Sequence, residues 1–153
     1  HGFLAYLAKC CKEGRPYKVY GYKGKQVRDQ LHASDVARAC EEYYKAPRAG
    51  EVYNLGGGRA DSISVLEAIA EIERRTGKEL AHDYVDEPRR GDHQVWITDT
   101  RKFQEHYPGW RVQVSLAKIL DEICGVEHGP AWNADTRAED QADTPAARSS
   151  LAT

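Results

Sequence analysis

Residues 20–35 read Tyr-Gly-Tyr-Lys-Gly-Lys-Gln-Val-Arg-Asp-Gln-Leu-His-Ala-Ser-Asp, and this run constrains the fold more than any other. A short β-rich piece, Val19-Tyr20, runs into Gly21 and Gly24. Glycine turns a chain through positive φ at no steric cost. A second β-rich piece follows over residues 27–32, and Ser34 stands where an N-cap would open a helix. The expectation is a hairpin-like unit over residues 18–32. It feeds a helix reaching about Lys45, with Val36, Cys40 and Tyr43 as the buried stripe and Ala37 and Tyr44 alongside. Arg28 lies on the second strand, close to a strand-to-helix junction. A guanidinium held there can grip a phosphate through two parallel hydrogen bonds. A second arginine cluster, Pro88-Arg89-Arg90-Gly91-Asp92, is the other half of the functional reading.

The rest of the chain alternates helix and strand signals. Residues 3–13 place Phe3, Leu4, Leu7, Cys10 and Cys11 on one helical face, and Gly14 and Pro16 stop them. Residues 51–55 form a β-rich run ending in Gly56-Gly57-Gly58. Ser64 and Glu67 have capping-box spacing before a helix carrying Val65, Leu66, Ile69 and Ile72 inward, closed by Gly77. Residues 80–85 and Val95-Trp96-Ile97 read as strands around the 88–92 loop. Asp99 can cap a helix stopped by Pro108-Gly109, and Ser115 caps a last one carrying Leu116, Ile119, Leu120 and Ile123. Strands leading through glycines into helices predict an α/β layer protein.

The composition narrows the function classes. With 153 residues and a net charge of −2, Lys and Arg scattered rather than blocked, no broad nucleic-acid footprint is expected. No run is long enough to cross a bilayer and no signal-peptide pattern is present, so a cytoplasmic, non-membrane protein is expected. Cys10, Cys11, Cys40 and Cys124 show no C-x-x-C spacing, which fits reduced thiols and argues against zinc; no metal is expected. The first residue is His1 and there is no methionine, so the expectation is a piece of a longer protein. Residues 133–153 hold one large aliphatic residue, Leu151, and the segment 128–153 is expected to be a disordered tail after one unit over 1–127.

Several motifs carry less than they suggest. Gly56-Gly57-Gly58 lacks the Lys-Ser/Thr of a phosphate loop and the spacing of a dinucleotide fingerprint, which favours a tight strand-to-helix turn. His32, His82, His93 and His106 show no metal spacing. None of the nine tyrosines is followed four positions later by lysine. Taken singly, Arg28 could simply pair with Asp29 or Asp35, and Arg89 and Arg90 could be solvated surface charges.

Order and spacing change that balance. Gly24-Lys25-Gln26-Val27-Arg28-Asp29 is followed by Leu31-His32-Ala33-Ser34-Asp35 and then by Val52-Tyr53-Asn54-Leu55-Gly56-Gly57-Gly58. Ser64 to Glu67, Arg89-Arg90-Gly91-Asp92, Asp99-Thr100-Arg101-Lys102 and Gly109-Trp110-Arg111-Val112-Gln113-Val114-Ser115-Leu116 come next. From Gly2 to about Ile123 this series resembles the C-terminal portion of the extended short-chain dehydrogenase/reductase family, the NAD-dependent nucleotide-sugar epimerases and dehydratases. Within it, Lys25 to Asp29 with Leu31-His32-Ala33, and Gly91-Asp92-His93-Gln94-Val95, are most similar to the CDP-paratose 2-epimerase branch. UDP-glucose 4-epimerases and dTDP-glucose 4,6-dehydratases share most of these landmarks.

The resemblance implies a Rossmann-like fold made of a substrate-binding lobe with a strand, at 52–55, and helices of the parallel sheet. It implies NAD as cofactor, a nucleotide-diphosphate sugar as ligand, and a homodimer of the full-length protein. Carried over by position, Arg28 and Arg89 would bind the diphosphate. Tyr20 would pack beside the base with the Lys18 backbone near it, and Asp92 would hydrogen-bond a ribose or a neighbouring donor. Arg90 stands where the family usually has proline, and Tyr22 replaces a common acidic residue or asparagine. The family's glycine-rich NAD loop, catalytic Ser/Thr and Tyr-x-x-x-Lys pair have no counterpart in this sequence. No catalytic residue is therefore expected here, NAD would be bound mainly by an N-terminal Rossmann half, and the isolated chain is expected to be inactive.

Overall fold

The computed structural model describes residues 2–126, and the expected tail over 128–153 lies outside the described residues. Helix α1 (Phe3–Glu13) buries Leu4, Leu7, Ala8, Cys10 and Cys11 and ends at Gly14 in the left-handed region. It packs on α3 (Val65–Thr76) and α5 (Leu116–Cys124), which also pack on each other. Their shared core holds Leu7, Ile69, Ile72, Leu80 and Leu120, with Val19 reaching in from the adjoining strand. A second cluster gathers Ala39, Phe103, Tyr107, Trp110 and Val112 beneath α2 (Ala33–Lys45) and α4 (Arg101–His106). The capping box on α3 forms as its spacing predicts, and the Ser115 side chain accepts from the Lys118 backbone at the start of α5.

The strands form two small sheets. Strand β1 (Tyr17–Tyr20) pairs in parallel with β4 (His82–Val85), Tyr20 standing opposite Val85. Strand β2 (Val27–Asp29) lies between antiparallel β3 (Ser62–Ser64) and parallel β5 (Val95–Trp96). The expected hairpin is therefore not one. β1 and β2 belong to different sheets, and β2 stops at Asp29 rather than at residue 32. The reason lies in the link. Gly21, Tyr22, Lys23 and Gly24 all have positive φ, from 49° to 70°, around a short 3-10 turn. A two-residue hairpin turn keeps its flanking strands in register, whereas four such residues carry the chain across to another partner.

Helix α2 also departs from expectation. His32 is its N-cap, its Nδ1 accepting from the Ser34 backbone N–H, so Ser34 is a helical residue rather than the cap. The buried residues are Asp35 and Ala39, while Val36, Cys40, Tyr43 and Tyr44 are exposed. The cause is Asp35, whose carboxylate accepts from the backbone N–H groups of Gln113 and Val114 and pairs with Arg38. That demand sets the rotation of the helix against the hydrophobic pattern. Residues 52–55 belong to no ladder among the described residues, so the strand expected there is not formed. Asp99 does not cap α4 from the N-cap position; Thr100 holds it, and Asp99 binds the Arg101 backbone N–H instead.

The glycines do not form the expected strand-to-helix turn: the turn covers residues 58–61, no strand leads into it among the described residues, and β3 intervenes before α3, but Gly56 and Gly57 are closely packed. A Cβ on Gly57 would sit 1.9 Å from the Gln30 carbonyl oxygen, and one on Gly56 would meet Asp29 and Thr98. The Asp29 carboxylate accepts from the Gly58 and Thr98 backbone N–H groups, tying the turn to β2 and to the chain leaving β5. Gly57→Ala is expected to force these segments apart and destabilise the chain by about 3 kcal/mol. A urea unfolding midpoint within experimental scatter of the parent chain would refute that packing.

Candidate functional site

A cavity of about 120 Å³ opens where β1, the segment entering β2, and the 88–92 loop meet. Its polar wall is Gln26, Arg28, Arg89 and Asp92. Its apolar wall is Phe3 from α1, Val19 from β1 and Val65 from α3, with the rings of Tyr17 and Tyr20 beside them. Four of the five residues singled out in the sequence thus meet at one place: Tyr20, Arg28, Arg89 and Asp92. The fifth, Lys18, is exposed and not among the lining residues, and only its backbone was expected near the base.

Backbone geometry explains why these side chains converge. Gly91, at φ 78°, occupies the third position of a turn closed by the Asp92 N–H onto the Arg89 carbonyl. Both arginines are exposed, but only Arg89, at the first position, lines the cavity; Arg90, at the second, does not. The Arg89 guanidinium lies over the Tyr20 ring, 4.6 Å from its centroid, which holds the cation while leaving its N–H groups available. Arg28 bonds Asp92 Oδ1 through Nη2 at 2.5 Å and its own Val27 carbonyl through Nη1 at 2.8 Å. The Tyr22 hydroxyl donates to the Asp92 carbonyl, bracing the loop from the 3-10 turn.

Electrostatically the site is a pair of guanidiniums with one carboxylate, where β2 meets the 88–92 loop, beside apolar walls. Burial pushes the Tyr17 phenol above its ordinary value, the Arg89 charge pulling the other way. Five lining residues, Phe3, Tyr17, Val19, Gln26 and Val65, have no site role in the sequence reading. Phe3 and Val65 bear ordinary core patterning. Tyr17 could have been found from its alternation with Val19. Gln26 sits inside the quoted Gly24 to Asp29 element, and only its contacts give it significance.

The arrangement suits a ligand with a flat ring and a multiply charged anion. A guanidinium pair drawn from a strand and a separate loop binds a diphosphate with charge-assisted, directional hydrogen bonds. Among the described residues no group of three His, Cys, Asp or Glu could hold a metal ion. A dinucleotide does not fit the one glycine-rich segment either. The Gln30 carbonyl and the Asp29 side chain already occupy the space that the Gly56 to Gly58 segment leaves.

Residues 1–56 match the NAD dependent epimerase/dehydratase family. A UDP-glucuronate 4-epimerase of Thermodesulfobacterium geofontis is 32% identical over 108 residues, covering 71% of this chain and 32% of that protein. A dTDP-glucose 4,6-dehydratase of Xanthomonas campestris pv. campestris is 33% identical over 119 residues, again 71% of this chain and 33% of the relative. Among solved structures, MoeE5 in complex with UDP-glucose and NAD superposes with a TM-score of 0.72 at 29% identity, over 81% of this chain and 40% of that one. The UDP-glucose 4-epimerase of Thermotoga maritima with UDP-glucose gives 0.67 at 29% identity, over 81% and 38%. The chain thus spans about a third of the curated relatives it matches. Its α/β fold is shared with Rossmann-like epimerases and dehydratases of the extended short-chain dehydrogenase/reductase type.

Proposed function

We propose that this chain, a relative of the NAD dependent epimerase/dehydratase family, is the nucleotide-sugar-binding portion of such an enzyme. The observation that carries the reading is the meeting of Arg28 and Arg89, from segments some sixty residues apart, on one cavity with an aromatic side wall. In this reading the diphosphate takes the Arg28 N–H now held by Asp92 and a second set from Arg89. Asp92, released, accepts from a ribose hydroxyl. Tyr20 and its neighbours flank the base, and the Lys18 backbone lies nearby. Binding energy collected at the diphosphate fixes the sugar and supports chemistry at a distant carbon. NAD, in this family, supplies hydride transfer at the sugar, and in this reading it is held mainly by an N-terminal Rossmann half.

The specific reading is a CDP-paratose 2-epimerase, on the likeness of residues 25–33 and 91–95 to that branch. The second is a UDP-sugar 4-epimerase or dTDP-glucose 4,6-dehydratase, favoured by the names of the relatives above. A cytoplasmic enzyme, homodimeric at full length, fits both; none of the described helices is long and apolar enough to cross a membrane. Titration calorimetry with CDP, UDP and dTDP separates the readings. Binding of at least one is expected, with CDP tightest for the specific reading, and without NAD-dependent turnover of the corresponding sugar by this chain alone. Indifference to all three nucleotides would end the nucleotide-sugar reading.

A further inference from the structure

The loop that carries Arg89 and Asp92 is fixed by few contacts. Every residue from Asp86 to Gly91 is exposed, so burial does little to hold it. Both guanidiniums of the cavity nevertheless depend on it, because Arg89 belongs to it and Arg28 is paired with its Asp92. In the nucleotide-sugar reading the Arg28–Asp92 tie is given up when a diphosphate arrives. The loop must then be kept in place by something that the ligand does not displace.

The 3-10 turn between β1 and β2 supplies the remaining ties. The Gly21 N–H donates to the Val85 carbonyl at 2.8 Å, and Gly21 packs so closely that a Cβ on it would lie 2.6 Å from Pro88 Cα. The Lys23 N–H donates to the Tyr84 hydroxyl at 3.2 Å, and that hydroxyl donates to Asp86 Oδ1 at 2.8 Å. These contacts grip the loop at its entry. The Tyr22 hydroxyl reaches past Pro88 and donates to the Asp92 main-chain carbonyl at 3.3 Å. The backbone points to the same residue. Tyr22 has φ 49° and Lys23 φ 53°, in the left-handed region where a Cβ crowds the following carbonyl. Glycine would sit there freely, as Gly21 and Gly24 do on either side. Side chains held in this region persist where their contacts over-determine them, and they cluster at ligand clamps.

We infer that Tyr22 is a positioning residue for the diphosphate clamp, whose hydroxyl holds the 88–92 loop so that Arg89 stays on the cavity when the anion takes Arg28 from Asp92. Its acceptor is a main-chain carbonyl for which an anion has no use, so the same bond serves before and after Arg28 changes partner. Tyr22 is outside the cavity lining and touches no ligand. The inference rests on the nucleotide-sugar reading and adds the residue that keeps its two cations together.

Tyr22→Phe removes the hydroxyl and keeps the ring. Calorimetry with the tighter-binding of UDP and CDP is expected to show affinity about fivefold weaker, the size of one net hydrogen bond, in a variant shown to be native by its urea midpoint. The same substitution is then made in an Arg89→Ala background. There its effect should shrink to about twofold or less, because the loop has no guanidinium left to position. A brace that serves only the fold would cost the same factor with or without Arg89. Affinity in Tyr22→Phe within about 1.5-fold of the parent overturns the inference, as does a fivefold loss that persists without Arg89. Tyr22→Leu, which also lacks the hydroxyl, runs the same cycle if the phenylalanine variant does not fold. Either overturning result leaves the nucleotide-sugar reading standing, since the parent chain still binds. Failure of the parent chain to bind either nucleotide removes both.

Discussion

Arg28→Ala is expected to weaken the binding of UDP or CDP by about a hundredfold, the loss of two charge-assisted hydrogen bonds to phosphate. Arg28 is three-quarters buried, and its position is set by Asp92 and by the Val27 carbonyl. Alanine would also leave the Asp92 carboxylate in the cavity without its cation, facing an anionic ligand. Arg28→Lys restores charge without the fork and should recover only part of the loss. The measurement is calorimetry at fixed ionic strength, with unfolding midpoints to show that the variants are native. Affinity in Arg28→Ala within threefold of the parent would take Arg28 out of the site.

Asp35→Ala is expected to cost about 3–5 kcal/mol of stability, the range for breaking a buried, fully engaged charge. The Asp35 side chain is completely buried. It accepts from the Gln113 and Val114 N–H groups at 2.9 and 3.0 Å, and Arg38 closes the arrangement. Alanine leaves two backbone donors and a guanidinium without their acceptor. For a domain with a net stability of about 5–15 kcal/mol, such a loss is a large fraction of the whole. Denaturant unfolding reads it directly, and amide hydrogen exchange at Gln113 and Val114 locates it. A change below about 1 kcal/mol would mean that water replaces the carboxylate without cost.

What could be read from the sequence divides along the range of the interactions. The Ser64–Glu67 capping box and the left-handed glycines closing α1, α3 and α5 are settled within a few residues, and they stand where the pattern puts them. The hairpin reading failed because a strand's residues do not name its partner, and that of β1 lies beyond residue 80. The buried face of α2 was misread because Val36, Cys40 and Tyr43 outnumber Asp35, yet one buried carboxylate with backbone donors outweighs three apolar side chains. In the site, Arg28 was legible from the element that contains it. The choice between Arg89 and Arg90 needed the turn around Gly91.

The parallel pairing of β1 with β4 and of β2 with β5 has a consequence for how the cavity comes into being. Each pair joins strands separated by more than sixty positions, with α2 and α3 formed in between. Closing loops of that length costs entropy before any contact compensates, so the cavity is a late product of folding rather than a local nucleus. No contiguous piece of chain shorter than the run from residue 3 to residue 92 contains all of its walls. A ligand seated there touches the first helix, the first two strands and the loop after the fourth at once. It therefore acts as a cross-link between parts of the chain that are remote in sequence, and occupancy of the cavity reports that the whole of this span has folded.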